Sequence, residues 1–66
     1  MDIGKSIKRL RTARNMTQSD LAQHVGVREN MISNWERNTQ VCTVSNLVKI
    51  AKALKVTPDD LVGFNN

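Results

Sequence analysis

Asn30 and Asn34 stand four residues apart, so on a helix both project from one face. An asparagine amide can bond bidentately to N6 and N7 of adenine. Glu29 can accept from N4 of cytosine, although its charge repels nearby phosphates. Arg28 can clamp O6 and N7 of guanine or hold a phosphate, and Asn34 can reach a base or a phosphate. Met31 can touch a thymine methyl or pack partly inward. These side chains suit a reader of the DNA major groove, and equally an ordinary wet helix face. Other chemistry is poorly provided for. His24 has no plausible ligand partners and is expected in solvent, and nothing marks the thiol of the single cysteine, Cys42, as activated. One cysteine excludes an internal disulfide and a thiolate metal cluster. With no cluster of carboxylates, histidine, cysteine or phosphate-cradling glycines, an enzyme is the least favoured class. No metal, cofactor or small-molecule ligand is expected.

The elements around this face decide between the two readings. Residues 18 to 37, QSDLAQHVGVRENMISNWER, read as a short helix, a turn at Gly26 and a second helix. Leu21, Val25, Val27, Ile32 and Trp35 fall where two crossed helices touch, and Ala22 is small where they pass closely. Such a pair is a helix-turn-helix whose second helix enters the major groove. Trp35 belongs to this core and is not a stacking platform; the chain has no tyrosine and one other aromatic.

Upstream, Ile3, Ile7 and Leu10 recur at helical spacing over residues 3 to 14, with Asp2 as N-cap and Asn15 as a left-handed end. Lys5, Lys8, Arg9, Arg11 and Arg14 lie here, mostly on a solvated face. Arg11, at the edge of the apolar stripe, calls for an acidic partner. Thr17 to Asp20 forms a capping box for the second helix. The third runs from about Arg28 to Arg37 and ends at Asn38, with a loop over residues 39 to 42. Thr43 caps a fourth, whose stripe is Val44, Leu47, Ile50, Ala51 and Leu54; Lys49, Lys52 and Lys55 lie off it. Thr57-Pro58-Asp59-Asp60 opens a fifth, ending near Val62. The expectation is one all-α domain of five short helices over residues 1–66.

Sixty-six residues are few for a fold without disulfides or metals, and a core of this size supplies roughly 3–5 kcal/mol. Ten Lys and Arg against six Asp and Glu give a formal charge of +4, which permits a polyanionic partner without proving one. There is no apolar run of about 20 residues and no signal-peptide core, so no membrane association is expected and the cytoplasm of a bacterium, or of a phage-infected one, is the expected location.

TQSDLAQHVGV, NMISNWERN and NLVKIAKALKVTPDDLV resemble the Cro/phage-repressor (XRE-type) helix-turn-helix family, over about residues 3 to 62. The resemblance implies a lambda-repressor-like fold, usually a homodimer on an operator of two half-sites. By position it implies base-edge contacts from Glu29, Asn30, Ser33 and Asn34. It implies phosphate contacts from Gln18, which would also brace the recognition helix, and from Arg37 with Asn38 and Thr39 of the following loop. It also pairs Arg11 with Glu36 as a structural ion pair. Three positions depart from the pattern. Arg28 replaces a capping Ser or Thr and adds a cation toward DNA, Asn38 replaces glycine, and Cys42 replaces a common proline.

Val41, Val62 and Phe64 are the candidates for a dimer contact. The leading expectation is a transcriptional regulator, a repressor rather than an activator, that binds double-stranded DNA at a palindromic operator. A restriction-modification controller or antitoxin of the same fold is the alternative. A protein-interaction module that has lost DNA binding is a third, kept open by the negative charge of Glu29.

Overall fold

The computed structural model describes residues 2–62, and the candidate Phe64 lies outside them. Five helices follow one another: α1 (Ile3–Ala13), α2 (Gln18–Val25), α3 (Glu29–Glu36), α4 (Val44–Leu54) and α5 (Pro58–Val62). α2 packs across α3 and against α4, while α1 lies on α3 and α5. The extents are 28 × 23 × 18 Å.

One residue type at each boundary explains where the helices start. The carboxylate of Asp2 accepts from Lys5 N at 2.9 Å, and the hydroxyls of Thr17 and Thr43 accept from Asp20 N and Asn46 N. At Thr17 and again at Thr57 the third residue answers, since Asp20 and Asp60 accept from the cap's own N–H at 2.9 and 3.0 Å. α3 alone among α1 to α4 starts without a side-chain cap, at Arg28. Its bounds are therefore one residue inside those expected at each end: Arg28 has extended geometry, and Arg37 is the C-cap. α1 likewise stops at Ala13 because Arg14 leaves the helical region.

The helix ends share one device, a residue with positive φ directly after or close to the last turn. Gly26 (85°) fills this role at α2, Asn15 and Asn38 (both 58°) at α1 and α3, and Lys55 (57°) at α4. Asparagine tolerates the left-handed region, lysine less so.

Ile7, Leu21, Ala22, Val25, Ile32, Trp35, Ile50, Ala51, Leu54 and Leu61 form the buried core, with Leu10, Val27, Met31 and Leu47 partly buried around it. Val44 does not belong to the stripe assigned to it; it is 76% exposed. It is the first residue of α4, and along that stripe burial begins only at Leu47. Trp35 is buried as expected, and its indole Nε1 is the buried side-chain polar atom without a partner among the described residues.

Candidate nucleic-acid interface

The expected partner of Arg11 is present, and it does more than neutralise a charge. Arg11 Nε and Nη2 donate to Glu36 Oε2 and Oε1 at 2.6 and 3.2 Å, and Nη1 donates to the Met16 carbonyl at 2.7 Å. The side chains of the pair are 10% and 4% exposed. Glu36 Oε1 also accepts from Gln18 Nε2 at 3.0 Å. One carboxylate thus ties α1, the turn after it, the first residue of α2 and the last residue of α3. Gln18 braces the third helix through this bond. One of its amide protons is spent on Glu36 and the other is left over, at the N-terminus of α2 where helix N–H groups favour an anion.

A second tie sits at the same, C-terminal end of α3 and reaches the opposite, N-terminal end of α1. Asn38 Nδ2 donates to Asp2 Oδ1 at 2.8 Å, and Asn38 Oδ1 accepts from Gly4 N at 3.2 Å. The bonds from Asn38 and from Lys5 N hold the Asp2 carboxyl below the ordinary carboxylate range. α1 and α3 meet here so closely that a Cβ on Gly4 would lie 2.5 Å from the carbonyl oxygens of Trp35 and Glu36. Nothing in the sequence pointed to Gly4, which reads there only as a weak helix former.

Held at its C-terminal end, α3 leaves Arg28, Glu29 and Asn30 exposed, with Ser33 and Asn34 half-buried one turn on. Arg28, Glu29 and Asn30 enter no side-chain hydrogen bond among the described residues, so their donors and acceptors are available. Asn34 is different. Its Oδ1 accepts from Arg37 Nη2 at 2.8 Å, and its Nδ2 donates to Gln40 Oε1 at 3.4 Å. Thr39 N and Oγ1 both donate to the Asn34 carbonyl, at 2.9 and 3.1 Å. The hydroxyl proton of Thr39 is therefore directed at the helix, and the amide of Asn38 gives its oxygen to Gly4 N and one of its protons to Asp2. Gln40 was not among the residues singled out by sequence. Its only signal was a place six residues after Asn34, in a loop too irregular for periodicity.

The remaining candidates lie away from this face or on its rim. His24 is exposed in the last turn of α2. Cys42 is half-buried, donates to the Thr43 carbonyl at 3.7 Å and has its thiol pKa raised by burial, which disfavours the reactive thiolate. Val41 is 86% exposed, and Val62 is half-buried at the end of α5. Among the described residues no group of His, Cys, Asp and Glu is placed to hold a metal, and no helix is long and apolar enough to cross a membrane.

The helix-turn-helix family HTH_3 matches residues 7–61. The control protein C.BamHI of Bacillus amyloliquefaciens is 37% identical over 62 residues, covering 92% of this chain and 76% of that protein. The transcriptional activator BcrR of Enterococcus faecalis is 34% identical over 62 residues, but the chain spans only 30% of its length. The P22 c2 repressor, solved in complex with a synthetic operator, superposes with a TM-score of 0.86 at 34% identity, over 92% of both chains. Five helices without a strand among the described residues, a doubly tied C-terminal end on the third, and these matches agree: the chain belongs to the Cro/phage-repressor type of helix-turn-helix family.

Proposed function

We propose that this chain is a sequence-specific regulator of transcription that binds double-stranded DNA through the major groove. The observation that carries the proposal is the free outward face of α3. Arg28, Glu29 and Asn30 present unspent hydrogen-bonding groups at the start of a helix whose C-terminal end is fixed by Glu36 and Asn38. Asn30 reads adenine, Glu29 accepts from cytosine, Arg28 takes guanine or a phosphate, and Ser33 supplies a shorter contact one turn on. Gln18 and Arg37 hold the backbone on either side, and these contacts set register without carrying sequence information.

The protein acts as a homodimer on a palindromic operator, its two recognition helices about 34 Å apart in successive major grooves. It works in the cytoplasm and represses by occupying a promoter. Val41 and Val44, both largely exposed, supply apolar surface for the dimer, and Val62 adjoins the chain end that continues to Phe64. A restriction-modification controller is the second reading, favoured by 37% identity to C.BamHI over three quarters of that protein. A restriction gene beside this one would decide for it.

The test is selection of bound duplexes from a random pool, with wild type beside Asn30→Ala. Enrichment of a two-fold symmetric site, relaxed at one position per half-site in the variant, is expected. A folded protein that enriches nothing would refute sequence-specific binding and favour a protein-interaction module.

A further inference from the structure

Asn34 shares a helix face with Asn30 but not its chemical state. To read adenine bidentately an asparagine must accept from N6 through Oδ1 and donate to N7 through Nδ2. In Asn34 the Oδ1 is held at 2.8 Å by the guanidinium of Arg37, a charge-assisted bond of the strong kind, and Thr39 Oγ1 stands 3.4 Å from the same oxygen. Its Nδ2 is turned to Gln40 Oε1. The whole side chain points along the loop that leaves the helix. Its backbone carbonyl closes that loop as well, through both donors of Thr39.

The consequence lies in what the loop residues have left to offer. A phosphate supplies only acceptors, so a backbone grip must present donors. Arg37 spends one N–H on the Ser33 carbonyl and one on Asn34, leaving three of the five that a guanidinium carries. Gln40 is held through its oxygen, so both protons of its Nε2 remain free. Thr39 has spent its donors inward. The chain carries no cation between Arg37 and Lys49, so Arg37 is the one positive charge this loop can bring to the backbone.

We propose that Asn34 is a positioning residue and not a base reader. It frames Arg37 and Gln40 into a grip on the phosphate backbone, and Gln40 is a further phosphate contact. The proposal rests on the DNA-binding reading above and deepens it. Specificity then resides in the first turn of α3 and Ser33, while the last turn sets affinity.

The experiment combines duplex selection with salt titration of operator binding, for Asn34→Ala, Gln40→Ala, Arg37→Ala and the Asn34→Ala/Arg37→Ala pair. Thermal melts confirm folding, which the intact backbone bonds of residue 34 favour. Asn34→Ala is expected to weaken binding about 3–10-fold on every sequence and leave the preferred bases unchanged. It should also lower the log–log salt slope by up to about 0.9, the value of one phosphate contact. Gln40→Ala should weaken binding about 2–5-fold with unchanged base preference. The pair should fall short of the sum of the two single losses and exceed that of Arg37→Ala by no more than the Gln40→Ala loss, since the asparagine acts through both residues. Relaxed preference at one base position with an unchanged slope would make Asn34 a reader and overturn the assignment. Additive losses in the pair would also overturn it, and full binding by Gln40→Ala would remove that residue from the grip. If wild type itself selects no site, the DNA-binding reading fails, and this assignment falls with it.

Discussion

Gly4 has no side chain to contribute, and its value is the space it leaves. Both atoms nearest to an added Cβ are backbone oxygens at 2.5 Å, and a backbone cannot rotate out of the way. Gly4→Ala is therefore expected to cost about 1–3 kcal/mol, as overpacking does, read as a lower urea midpoint at constant m-value. Glu36 is the opposite case, a residue whose two carboxylate oxygens are both engaged. Glu36→Gln leaves the Arg11 guanidinium buried without its counter-charge, a loss of about 3–5 kcal/mol that matches the whole stability of a domain this small. Far-ultraviolet circular dichroism should show a largely unfolded chain at 25 °C, and a native spectrum with an unchanged midpoint would deny the carboxylate its central role. Of these two residues only one was legible. Arg11 at the edge of an apolar stripe demands an acid from spacing alone, and the family resemblance supplied Glu36. Gly4 becomes meaningful only when another helix brings its carbonyl oxygens to where a side chain would stand, which no local pattern records.

Among the elements, the helix starts carry two further expectations. The Asp20 carboxyl is held below its ordinary 3.8 because it accepts from the backbone N–H of Thr17, with the Thr17 side chain adding to the effect. A carboxylate with a depressed pKa stabilises the fold above its unfolded value, and that contribution fades as the pH falls from about 3.8 toward the lower folded value. Asp20→Asn keeps an acceptor but not the titration, so the acid limb of its melting temperature against pH should be flatter than in wild type. α3 starts without a side-chain cap. Arg28→Ser should supply one, raising stability by about 1 kcal/mol in thermal or urea unfolding while weakening operator binding, because a cation of the proposed DNA-binding face is lost. A variant that gained neither stability nor lost affinity would show that Arg28 is neutral on both counts. The caps at Asp2, Thr17, Thr43 and Thr57 were all readable, since capping depends on residues three apart. The left-handed end at Lys55 was not, because lysine carries no preference for it.

For the whole molecule, the dimer is the open expectation. Val41 and Val44 are 86% and 76% exposed, and neither supports the core. A Val41→Glu/Val44→Glu variant should keep the wild-type melting curve, sediment as a monomer and lose most operator affinity; sedimentation identical to wild type would take both residues out of the interface. Sequence periodicity placed Val44 in the core because it marks which residues share a face, not where along the helix the core stops.

The separation between the outward residues of α3 and the ties that hold it has a consequence for how such a protein diversifies. Arg28, Glu29 and Asn30 touch neither the buried cluster nor the carboxylate of Glu36. Substitutions there are nearly free of folding cost, so recognition can drift by single neutral steps on an unchanged scaffold. A duplicated gene can then acquire an operator of its own before its product loses the ability to fold, and two copies in one cell can become insulated from each other by changes at three or four positions.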